Sequence, residues 1–110
     1  MGPPTVVIDD LGAEVRYVDL DHPRIEWWQV REIAVDVVTA PELEYAEAFW
    51  SITGEGINWG APVDIVVGAD ALRSRLFAFP GFDVSMYEQA RQSEAAARAG
   101  TFVCWRSAAE

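Results

Sequence analysis

The chain has 110 residues, 51% of them hydrophobic, with five tryptophans and a single cysteine; this suffices for one cooperative core and falls short of two, so one domain is expected over 1–110, with 1–4 and 107–110 as flexible ends. Eighteen acidic residues against eight basic ones, all eight arginine, set a net charge of -10, a field that repels nucleic-acid phosphates and anionic membranes and attracts basic partners. No run of about 18 apolar residues is present to span a bilayer, MGPPTVVIDD lacks the basic start and apolar stretch of a signal peptide, and the lone Cys104 cannot form an internal disulfide; together these point to the cytoplasm.

In chain order, TVVIDD and LGAEVRYVDL read as two strands around a turn at Leu11 and Gly12, with Val15, Tyr17 and Asp19 on one side. The stretch RIEWWQVREIAVDVV then sets Trp27 beside Trp28 at the mouth of an apolar run. Adjacent side chains of an extended chain face opposite ways, so only one of the pair can enter the same core. Trp27, Val30 and Ile33 share a spacing of three, which suggests a tight turn that delivers Trp27 inward. Trp28 is then either a second core residue, as tryptophans usually are, or a partly exposed contact of the type enriched at interface hot spots.

REIAVDVVTA alternates Ile33, Val35 and Val37 with Glu32, Ala34 and Asp36, the pattern of a strand with one wet face. PELEYAE reads as a loop crowded with Glu42, Glu44 and Glu47, after which AEAFWSITGEG and INWGAPVDIVVG supply two more strands around the glycines at 54 and 56. A phosphate-cradling loop would lead into a helix and bring a lysine. Here a strand follows and the chain has no lysine, so a hairpin turn is expected, with Trp59 either in the core or at a tip that touches a partner.

After Gly68 the period changes. Asp70 is placed to cap a helix that turns Leu72, Leu76 and Phe79 inward, and Pro80 and Gly81 stop it. Asp83 or Ser85 caps a second, alanine-rich helix that Gly100 ends, and TFVCWRS closes as a short strand. Phe77, Phe79 and Phe82 form the seam where the two helices turn over the sheet. Antiparallel hairpins followed by helices predict an α+β fold: a curved antiparallel sheet or a split β-barrel of pleckstrin-homology-like type, with two C-terminal helices and a short final strand, the first helix covering the open side.

Catalytic chemistry is thinly provided for. His22, the sole histidine, sits in the polar turn DLDHPR with nothing to place a serine beside it, and Cys104, in a strand, reads as a small apolar residue. One histidine and one cysteine do not make a zinc site. Asp9 with Asp10, and Glu42 with Glu44 and Glu47, lack the alternating ligand loop of a calcium site and read as solvated turns. No cofactor, no metal and no enzymatic activity are expected. The acidity is uneven: residues 1–70 hold 14 acids and 3 bases, residues 71–110 hold 4 and 5. Asp9, Asp10, Glu42, Glu44, Glu47 and Glu55 thus cluster in turns around Trp28, Tyr45 and Trp59, the candidate surface for a basic protein partner. The plainer alternative is that acidity keeps a tryptophan-rich protein soluble.

The pattern IEW..V.EI from Ile25, GADALRSRLFAFPGFD at 68–83 and FVCWR at 102–106 resembles a family of small acidic bacterial proteins with a pleckstrin-homology-like look. The likeness runs from about Val6 to Arg106, and PGFD and FVCWR are its most specific parts. It implies a tryptophan where Trp27 stands, with polar residues at the next two positions, so Trp28 is a departure. It implies no catalytic residue, and relatives of this kind resemble immunity proteins that accompany bacterial toxins. A cytoplasmic immunity protein or antitoxin that occludes the active site of a basic toxin is therefore the first functional expectation, and a pleckstrin-homology-like interaction or ligand-sensing module the second.

Overall fold

The computed structural model describes residues 5–16, 23–40, 45–64 and 66–107. Thr5–Ile8 (β1) and Gly12–Arg16 (β2) form the expected first hairpin, with Val6 opposite Val15 and Ile8 opposite Ala13. Its turn is closed by the Asp9 carboxylate, which accepts from the backbone N–H of Leu11 at 2.8 Å and of Gly12 at 2.9 Å, a local bond that short acidic side chains make readily. Arg24–Glu26 (β3) adds a third antiparallel strand to β2, opposing Ile25 to Ala13. Val6, Ala13, Val15 and Ile25 are all buried. At three residues, β3 is too short to leave a sequence period. Tyr17, Asp19 and His22 lie outside the described residues.

A single 3₁₀ turn, Trp27–Gln29, carries the chain into a second sheet built from Val30–Ala40 (β4), Tyr45–Gly54 (β5), Ile57–Pro62 (β6) and Gly100–Arg106 (β7), in the antiparallel order β6-β5-β4-β7. The two-residue alternation of β4 fixes its inner face, opposing Ile33 to Ile52, Val35 to Trp50 and Val37 to Ala48. On β6, Trp59 opposes Ile52 and Ala61 opposes Trp50. Trp59 is therefore core, 3% exposed, and not a tip residue, because the turn lies earlier, at Glu55 and Gly56, and the alternation after it sends Trp59 inward. Tyr45 and Glu47, expected in a loop, belong to β5, where Ala40 and Val38 of β4 pair with them.

The α+β class stands, but the strands form two separate sheets of three and four, and no barrel closes among the described residues. Ala69–Phe77 (α1) turns Leu72 and Leu76 into the core, each such burial stabilising by about 1.5–3 kcal/mol. Its cap is Gly68 and not Asp70, which falls in the first turn and pairs with Arg73. Only glycine suits that place: φ is +94° and a Cβ would lie 2.2 Å from the Val6 carbonyl oxygen, where Val67 bridges to Thr5 and its carbonyl accepts from Val6 N–H at 2.8 Å.

The first helix lies against β1, whereas Val84–Ala95 (α2) covers the four-stranded sheet through β4, β5 and β7. Asp83 caps α2 by accepting from Met86 N–H at 3.1 Å, and Ser85 falls inside the helix. Tyr87 stacks on Trp50 with ring centres 5.4 Å apart, while Phe77 meets Phe82 at 5.0 Å and Tyr87 at 5.1 Å; Phe77 and Phe82 thus share the expected seam, whereas Phe79 turns its ring to Trp27 and Trp105. The buried Trp50 Nε1–H has no acceptor among the described residues. Ala97, at φ +54°, ends the second helix before Gly100, which instead opens β7. Ser107 is tied down, its N–H donating to the Arg31 carbonyl at 2.8 Å. No described helix is long and apolar enough to cross a membrane.

Candidate binding surface

The two tryptophans separate at the joint between the sheets. Trp27 N–H donates to the Leu11 carbonyl at 2.8 Å and its indole Nε1–H to the Asp9 carbonyl at 3.1 Å. Its half-buried ring meets Phe79 edge-on at 6.1 Å and lies 4.6 Å beneath the Arg75 guanidinium. Phe79 continues to Trp105 at 4.9 Å, whose indole N–H donates to the Pro80 carbonyl at 2.8 Å. Trp27 thus packs against the core from its margin. Trp28 is 71% exposed and Leu11, whose backbone it neighbours through Trp27, is 66% exposed.

The turn that presents Trp28 is well braced. Glu26 and Gln29 form a reciprocal capping box, with Gln29 Oε1 accepting from Glu26 N–H at 2.9 Å. Glu26 Oε1 also accepts from the Trp28 indole N–H at 3.4 Å, while its Oε2 holds Arg24 at 3.3 Å. Arg24 reaches on to Asp9 at 2.9 Å. Arg24 and the Leu11 and Gly12 amides hold the Asp9 carboxyl down from its usual 3.8 to about 2. Across the turn, Gly54 lets the backbone of Gln29 pass close, since a Cβ there would sit 2.3 Å from the Gln29 carbonyl oxygen. That contact sets the Glu55 turn against Trp28, and Trp28, Gln29, Arg31 and Glu55 line a cleft of about 300 Å³.

Asp9, Asp10, Trp28 and Glu55 are accordingly brought to one end of the molecule. Glu47 and Tyr45 are at the other: Val30 pairs with Gly54 near the Trp28 end, and Ala40 pairs with Tyr45 at the far one, about 30 Å away at roughly 3.3 Å per strand residue. Glu42 and Glu44 lie outside the described residues, and Trp59 is in the core. The single acidic surface expected from the sequence is thus divided. Leu11, Glu26, Gln29 and Arg31 join the Trp28 end without having been singled out, although the three-residue spacing of Glu26 and Gln29 was a readable capping signal.

Cys104 is buried, and desolvation, with Asp83 nearby, pushes its thiol up to about 11, so it is overwhelmingly protonated at neutral pH. No three His, Cys, Asp or Glu side chains converge on a metal-binding geometry among the described residues. The chain matches no family model, no curated protein and no solved structure with which it was compared.

Proposed function

We propose that the protein is a non-enzymatic binding protein, a cytoplasmic immunity protein or antitoxin that neutralises a basic bacterial toxin by covering its active site with the Trp28 end of the fold. One observation carries this reading: a tryptophan 71% exposed on a braced turn, in a protein of net charge -10. Exposed, immobilised tryptophan is expensive to leave in water and is the residue type on which interface energy concentrates. Asp10 and Glu55, both exposed, form no ion pair among the described residues and are free to meet cations. An inhibitor needs no reactive group; acids at the rim steer the partner in and the aromatic anchor excludes water at the centre. The seven antiparallel strands among the described residues, in two sheets, suit a pleckstrin-homology-like scaffold for it.

Co-expression with the product of the adjacent gene tests the reading through growth rescue and copurification, followed by binding kinetics. Association should slow about tenfold or more between low and high salt, Glu55→Lys should slow it further, and Trp28→Ala should speed dissociation about 30-fold, equivalent to about 2 kcal/mol. Glu47→Lys, about 30 Å away and beyond a Debye length of about 8 Å, serves as the near-silent control. Kinetics indifferent to salt, or docking confined to the arginine-bearing helices, would overturn the placement.

A further inference from the structure

We infer that the cleft between Trp28 and Glu55 captures one arginine side chain of the partner, stacked on the indole and ion-paired with the carboxylate; this rests on the proposed role as a binder of basic proteins. The cleft, at about 300 Å³, is at the lower limit of small-molecule pockets and suits a single long side chain. Two charges line it, and they are not equally available. Arg31 keeps its charge but turns one nitrogen back to the main chain, donating from Nη1 to the carbonyls of Trp28 at 3.1 Å and Val30 at 3.3 Å. Glu55 has no hydrogen bond or ion pair with any described residue, so its carboxylate is free to receive a cationic side chain.

The aromatic wall points to the same sign of ligand, because the face of an indole attracts cations. The Trp28 N–H edge is already taken by Glu26 Oε1, which leaves the ring surface for contact. A guanidinium fits better than an ammonium: it is planar, stacks flat, is more weakly hydrated, and offers a two-pronged edge to a carboxylate. The fold contains an internal version of this contact on the same turn, where Arg75 lies 4.6 Å over Trp27 and 5.0 Å over Phe79. The geometry is also preset, since the close passage of Gln29 over Gly54 fixes the distance between the turn bearing Trp28 and the turn bearing Glu55.

The test needs no partner. The five tryptophan indole N–H signals are followed by NMR at low salt while N-acetyl-arginine amide, and separately N-acetyl-lysine amide, is titrated in. The arginine compound should shift the Trp28 signal saturably in the millimolar range and leave Trp27, Trp50, Trp59 and Trp105 in place, with lysine binding about fivefold more weakly. Glu55→Gln, an exposed turn substitution, should weaken arginine binding about fivefold, and Trp28→Ala should abolish the accompanying shifts at Gln29 and Arg31 with circular dichroism unchanged. No saturable shift at Trp28, equal binding of lysine, or indifference to Glu55→Gln would each overturn the inference. Co-expression separates the two claims: salt-dependent association that is lost with Trp28→Ala but untouched by Glu55→Gln would leave the partner reading standing and remove the arginine from the cleft.

Discussion

Three residues complete one 3₁₀ turn, so neighbouring side chains diverge by about 120°, and this is how Trp27–Gln29 sends one tryptophan to the core margin and the other into solvent. The two should therefore differ in stability effect. Trp27→Ala removes the indole hydrogen bond to the Asp9 carbonyl, the ring beneath Arg75 and an aromatic neighbour of Phe79 and should cost about 3 kcal/mol, while Trp28→Ala, at an exposed site, should cost under about 0.5 kcal/mol; urea denaturation of both variants measures the gap, and equal losses would refute the division. Asp9 supports the same corner through charge. Its carboxyl is held at about 2, below the usual 3.8, so its contribution to stability is present above 3.8 and is lost as pH falls through about 2. An NMR titration should find the Asp9 midpoint near 2, and Asp9→Asn should flatten the acid limb of the stability profile in that window.

At the scale of elements, the strands with long alternation were legible because burial of one face imposes the period, as in Ile33, Val35 and Val37, although Ala34, expected on the wet face, is buried as well. The second helix was legible from Asp83, whose side chain does cap it. What escaped the sequence was set by tertiary partners. Tyr45 and Glu47 look like loop residues until the length of β4 offers them Ala40 and Val38 to pair with. Asp70 is a natural cap by residue type, yet the helix begins earlier because the backbone must approach Val6 at Gly68, which no local pattern announces. That approach makes a sharp prediction: Gly68→Ala combines a positive φ with a backbone collision and should destabilise by about 2 kcal/mol or more, read as a lowered denaturation midpoint with β1 and α1 the first elements to lose amide protection.

Over the whole molecule, which measures 38 × 35 × 24 Å, the sequence showed the charge asymmetry but not its layout. Consecutive acids such as Glu47 and Glu55 are set at opposite ends by the length of β5, so of the described candidate acids Asp9, Asp10 and Glu55 share a surface with Trp28 and Glu47 does not. The exposed Trp28 was likewise legible as a surplus aromatic, whereas Trp59 could be assigned to the core only once its partner Ile52 was known. The sheet order β6-β5-β4-β7 has a further consequence in time. Asp36 of β4 meets Thr101 of β7, whose hydroxyl donates to it at 2.8 Å across 65 residues. At ribosomal speeds of about 5–20 residues per second, β4 gains β5 almost at once and then waits about 3–13 seconds for its other neighbour. Throughout that interval its outer row of N–H and C=O groups is open to any extended chain in reach, so the nascent protein is most vulnerable to mispairing just before β7 emerges.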